Sequence, residues 1–89
     1  MGQLNKSEIK IQVELDENKV PEILRWTAPD GGIENDTAKA MLLSIWDSKV
    51  QETLRIDLWM KDMPVDEMKK FFHQTLVAMA DTFERATDD

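Results

Sequence analysis

Residues 7–16, SEIKIQVELD, alternate without a break: Ile9, Ile11, Val13 and Leu15 fall on one side, and Glu8, Lys10, Gln12, Glu14 and Asp16 on the other. A period of two puts every apolar side chain on one face of an extended strand and leaves the opposite face wet. A chain that opens this way needs a sheet with one covered face and one open face. The remaining residues must supply the cover.

The segment ENK (17–19) reads as a short turn, and VPEILRWT (20–27) as a second strand. Pro21 has no N–H for a ladder hydrogen bond, so this strand begins there or lies at an edge. Leu24 and Trp26 then point inward, with Ile23, Arg25 and Thr27 outward. From Thr37 the spacing changes. Ala38, Met41, Leu42, Ile45, Trp46 and Lys49 follow the three-four rhythm of a helix face. TLRIDLWM (53–60) returns to alternation, with Leu54, Ile56, Leu58 and Met60 inside and Thr53, Arg55, Asp57 and Trp59 outside. Pro64, followed by Asp66 and Glu67, marks a helix entrance. Val65, Met68, Phe72, Leu76, Met79 and Phe83 form one face of that helix.

The predicted fold is α+β, a ββαβα two-layer open-faced sandwich. A tight hairpin makes the first two strands antiparallel, and a crossover helix makes the third parallel to the second. That gives a three-stranded mixed sheet in the order 2-1-3, with both helices on one face. Trp46, Phe72 and Leu76 are expected to pack on Ile11, Val13 and Trp26. Eighty-nine residues suit a single domain, 1–89, with 1–6 and 86–89 flexible at its ends.

Eleven Lys and Arg against 18 Asp and Glu give a net charge of −7. Nucleic acid and anionic membrane surfaces require clustered positive charge, so neither is an expected partner, and a basic partner is favoured. With no cysteine, a disulfide framework and a thiolate metal site are excluded. The opening MGQLNKSEIK has no apolar leader and no apolar run is long enough to span a bilayer, so a cytoplasmic location is expected, without membrane insertion. Met1-Gly2 begins like an acylation signal, but Lys6 stands where that signal has Ser or Thr.

The most suggestive stretch for chemistry is APDGGIENDTAKAML (28–42). A calcium loop starting at Asp30 would need an oxygen ligand at its third position, Gly at its sixth and Glu at its twelfth; those positions hold Gly32, Asn35 and Met41. No phosphate-loop glycine pattern is present either. A turn at Gly31-Gly32, followed by a helix capped by Asn35 or Asp36, accounts for the residues. His73 is the only histidine, which rules out a two-histidine metal site within one chain. Ser44 and Ser48 do not lie in a nucleophile elbow. No catalytic residue, metal ligand or cofactor is expected.

Two surface features remain. In the predicted topology both helix starts lie at one end of the molecule, where Asp30, Glu34, Asp36, Asp62, Asp66 and Glu67 form an acidic rim. The open sheet face carries Trp59 and Ile23 among Arg25, Arg55 and Asp57, the composition of a protein-contact surface. The third strand lies at an edge, so a homodimer joined edge to edge is also expected.

The segments SEIKIQVELDEN, VPEILRW, DGGIENDTAKAMLLSIWDSK, QETLRIDLWMKDMPVDEMKKFFHQTLVAMADTF and RATDD span nearly the whole chain. On these, the chain resembles the gliding-motility-associated GldC family. The resemblance implies a place in gliding motility and a partner within that machinery, and it brings no catalytic motif. The expected function is a non-enzymatic adaptor acting through the open sheet face. The alternative is a small ligand- or cation-binding domain, or a cryptic enzyme, using the acidic rim.

Overall fold

A computed structural model describes residues 3–88. Met1, Gly2 and Asp89, and with them the acylation-signal comparison at Met1-Gly2 and the last residue of the expected flexible tail, lie outside the described residues. The described residues form five strands and one α-helix: β1 (Lys10–Leu15), β2 (Pro21–Ala28), β3 (Ile33–Ala38), β4 (Ala40–Asp47), β5 (Glu52–Trp59) and α1 (Val65–Thr87). The strands make two antiparallel sheets, β1-β2-β3 and β4-β5.

The opening hairpin follows its alternation. Ile11 pairs with Trp26 and Val13 with Leu24, which gathers the apolar side chains of both strands on one face. Pro21 is the first residue of β2, where its missing N–H costs no ladder bond. The turn is built on Asp16: its Oδ1 accepts the backbone N–H groups of Asn18 at 2.8 Å and Val20 at 3.0 Å. This side-chain turn lets Lys19 adopt a φ of 62°.

The two-helix sandwich is not formed. Residues 33–47, the second half of the suggestive loop and the whole expected first helix, are the two strands β3 and β4. The order is therefore not 2-1-3, β5 is antiparallel to β4, and only one helix exists among the described residues. The physical reason lies in residues 40–46, AMLLSIW, which are apolar at every position but Ser44. Such a run satisfies a three-four spacing and a two-residue alternation equally well. As a strand it puts Met41, Leu43 and Ile45 on one side and Leu42, Ser44 and Trp46 on the other. What decides between them is the turn that follows. Asp47 Oδ1 accepts the Lys49 N–H at 2.9 Å, Asp47 O accepts the Gln51 N–H at 2.9 Å, and Gln51 takes a φ of 58°. A hairpin closes there in place of a helix end.

The glycine pair does make a turn. Pro29–Gly31 is a single 3-10 turn, and Gly32, at φ 73°, closes it with its N–H on the Pro29 carbonyl at 3.0 Å. The expected helix caps Asn35 and Asp36 instead lie in β3. Asn35 sits at a register shift, with φ 51° and its N–H on Thr27 Oγ1 at 3.0 Å. That short polar side chain tolerates the left-handed backbone the shift requires.

Two contacts hold the segment after β5 to Lys39 at the link between β3 and β4, and a third ties it to the turn of the first hairpin. The Met60 N–H donates to the Lys39 carbonyl at 2.8 Å, Lys39 Nζ meets Asp62 Oδ2 at 2.7 Å, and Lys61 Nζ meets Asp16 Oδ2 at 2.6 Å. The Lys61 hydrogen bond, supported by the Val20 N–H and, less strongly, the Asn18 N–H and the Lys61 charge, holds the Asp16 carboxyl below its ordinary 3.8 against the opposing desolvation. A lowered folded pKa stabilises the fold above 3.8, and this contribution is lost as pH falls through the folded value. Asp16→Asn keeps the turn acceptor and removes the charge. It is expected to melt earlier than the parent at neutral pH, and the gap should close as melts are recorded from pH 5 down to pH 2.

The core is small. Among the described residues Leu24 and Met60 are the only buried apolar ones, each 2 % exposed. Trp46, expected at the centre of the core, is 57 % exposed at the far end of β4, and Leu54 and Ile56, expected inside, are more than half exposed.

Candidate functional site

In β5, Arg55, Asp57 and Trp59 fall on one side by alternation, facing Ser44, Leu42 and Ala40 across the ladder. The Arg55 guanidinium reaches both carboxylate oxygens of Asp57 at 3.3 Å. Trp59 is 58 % exposed. This side of the hairpin also meets the start of α1: Ala40, Leu42 and Trp59 border a hollow with Met68, Phe71 and Phe72. The indole is thus an exposed aromatic with an apolar floor on one flank and an ion pair on the other.

Ile23 and Arg25, the other expected members of the contact surface, lie on β2 in the first sheet, opposite Glu14 and Gln12. Both are half-buried. Arg25 Nε is buried without a hydrogen-bond partner. The candidates therefore form two groups on two sheets, and Trp59 belongs with Arg55 and Asp57.

The acidic residues are distributed as the strands dictate. Asp30 lies in the 3-10 turn and accepts a hydrogen bond from the Ser7 hydroxyl. Glu34 and Asp36 lie on β3, and Asp66 and Glu67 in the first turn of α1. Asp62 is paired with Lys39, whose hydrogen bond keeps its carboxyl below the ordinary value against the opposing desolvation. With one helix there is one helix start, so the pair of dipoles expected to gather the rim is not present. Among the described residues no group of three or more His, Cys, Asp or Glu side chains is placed to hold a metal ion. No helix among them is long and apolar enough to cross a membrane.

Sequence reasoning missed Phe71. The residues of α1 that turn toward the strands are Met68, Phe71 and Thr75, all half-buried. Phe71 closes an apolar groove of about 320 Å³ against Ile9, Ile11, Leu24 and Trp26. The expected stripe of Phe72, Leu76, Met79 and Phe83 is 46 %, 61 %, 59 % and 69 % exposed. Phe71 and Phe72 are adjacent and equally apolar, so composition could not set the phase; only the three-residue step from Met68 pointed to Phe71.

The fold and its surface define a small antiparallel β protein with one C-terminal helix and apolar faces left open to contact. The model of a family described as gliding motility-associated protein GldC-like matches residues 21–89. The chain belongs to this GldC-like family of gliding motility-associated proteins. The match begins at Pro21, so β1 and its turn precede it. No curated protein and no solved structure matches the chain.

Proposed function

We propose that the protein is a non-enzymatic adaptor of the gliding machinery, working in the cytoplasm by docking another protein of that machinery on the Arg55–Asp57–Trp59 side of β5. The family supplies the process, and its description names no reaction. The observation that carries the docking reading is the exposed Trp59, with Leu42 and Phe72 beside it and the Arg55–Asp57 pair at its edge. Tryptophan and arginine are the residues that most often anchor protein interfaces, and an apolar centre with a polar rim is the usual anatomy. The acidic balance of the chain, at −7, suits a partner with a basic contact surface.

Trp59→Ala is expected to keep the melting temperature of the parent within a few degrees, since the indole is more than half exposed. It is expected to weaken partner capture by about 1–2 kcal/mol, roughly five- to thirty-fold. Pull-downs from the native cytosol with the parent and the variant check this. Equal capture of the same proteins by both would remove Trp59 from the docking surface.

A further inference from the structure

The chain exposes 8063 Å², whereas a compact protein of 10.3 kDa exposes about 5,400 Å². Its radius of gyration is 16.0 Å, against about 12 Å expected for a compact chain of this length. Part of the excess belongs to the extended residues ahead of β1. Among the exposed apolar residues, two groups face no part of their own chain. One is the stripe Leu76, Met79 and Phe83 on the second half of α1, each about 60–70 % exposed. The other is the side of the β4-β5 hairpin that carries Ile45, Leu54 and Ile56, each more than half exposed.

Within one chain these two surfaces do not meet: every described residue of α1 beyond Thr75 is exposed, and so are Ile45, Leu54 and Ile56. Alternation puts Ile45, Leu54 and Ile56 on the side of the hairpin opposite Leu42 and Trp59, and α1 starts on the Leu42–Trp59 side. A rigid helix running from one side of a hairpin does not cover the other. Each chain therefore carries a helix face without a sheet and a sheet face without a helix.

We propose that the occupant of each is a second copy of this chain: two copies related by a two-fold axis exchange helices, the Leu76–Met79–Phe83 stripe of each lying on the Ile45–Leu54–Ile56 side of the other. One symmetric contact satisfies both deficits in both copies, which is the isologous arrangement closed dimers use. The sizes agree. The free stripe from Leu76 to Phe83 is about 10 Å long at 1.5 Å per residue. The open part of the hairpin side, from Leu54 to Ile56 with Ile45 opposite, is about 7 Å long at 3.4 Å per residue, and its side chains extend it at both ends. Obligate dimers bury about 1,000–2,500 Å² per copy, the order of the excess surface seen here. Half of a helix in contact with nothing is also marginal in water, where stretches shorter than about 12–15 residues barely hold. A partner's sheet removes that difficulty. The contact leaves Trp59 free, so it is independent of the docking proposed above.

Sedimentation equilibrium of the purified full chain is expected to show a dimer at about 10 μM, with Phe83→Glu and Ile56→Glu each weakening it at least about thirty-fold. Because a buried charge can also unfold a variant, a second arm uses the absence of native cysteine. A copy carrying Ile45→Cys is mixed with a differently tagged copy carrying Phe83→Cys and oxidised. A disulfide between the two tagged copies is expected. A monomer at 100 μM would overturn the proposal, as would a dimer indifferent to both glutamates, the signature of edge-to-edge pairing. Disulfides formed by Phe83→Cys only with itself, the signature of paired helices, would overturn it equally.

Discussion

Leu24→Ala is expected to cost about 2–5 kcal/mol, the range for emptying a buried leucine site that relaxes only partly. Leu24 is 2 % exposed in β2, the central strand of the first sheet, with Val13 beside it on β1 and Ala38 on β3. It also forms the floor of the groove that Phe71 closes. Its two ladder neighbours cannot fill the space, because Ala38 is small and Val13 is stiff at its branched carbon. A domain of this length has a total stability of roughly 4–13 kcal/mol, so the loss takes up much of it. Urea denaturation followed by tryptophan fluorescence measures the change. Trp46→Ala provides the contrast, since a side chain 57 % exposed at the end of β4 should cost far less. If Trp46→Ala proves the more damaging of the two, the expected core of the two-helix sandwich would be closer to the truth than the strands described here.

Phe71→Ala is expected to cost about 3 kcal/mol, the low end for a phenylalanine because the ring is only half-buried. Its signature should be local. Phe71 and Met68 are the half-buried apolar side chains of α1 at the strands, Phe72 beside them is more exposed, and every described residue of the helix beyond Thr75 is exposed. Losing the ring should undock α1 from a β structure held by its own ladders. Helical ellipticity at 222 nm should fall at lower urea than the tryptophan signal does, and protease should cut the 60–64 connection first. Phe72→Ala, at a position 46 % exposed, should leave the two transitions together. Equal damage from Phe71→Ala and Phe72→Ala would mean that the helix meets the strands on a different face.

The sequence announced its elements unevenly, for physical reasons. The opening hairpin could be read because polar and apolar residues alternate strictly from Ser7 to Asp16 and Pro21 fixes the start of β2. The helix after Pro64 could be read from its entrance residues and its three-four spacing. Residues 33–47 could not. Their apolar run has no unique period, and the turn at Asp47–Gln51 lacks the Asn-Gly or Asp-Gly pair that announces a hairpin. It relies on an Asp47 side-chain acceptor and a left-handed Gln51 instead. Misreading that one stretch also created the acidic rim, since the rim needed a second helix start. Alternation alone puts Arg55, Asp57 and Trp59 on one side of β5. Their separation from Ile23 and Arg25 depends on the two-sheet arrangement, which no local pattern encodes.

For this member of the GldC-like family we propose action through protein contact at the Trp59 side of β5. Its most direct test is gliding itself. In the native host, the chromosomal copy is replaced by the parent sequence, by Trp59→Ala or by Gln12→Ala, a surface change on the other sheet. Spreading of the colonies is measured alongside the amount of each protein in the cells. The account predicts parental spreading with Gln12→Ala and clearly reduced spreading with Trp59→Ala at equal protein levels. Parental spreading by an abundant, folded Trp59→Ala variant would contradict it.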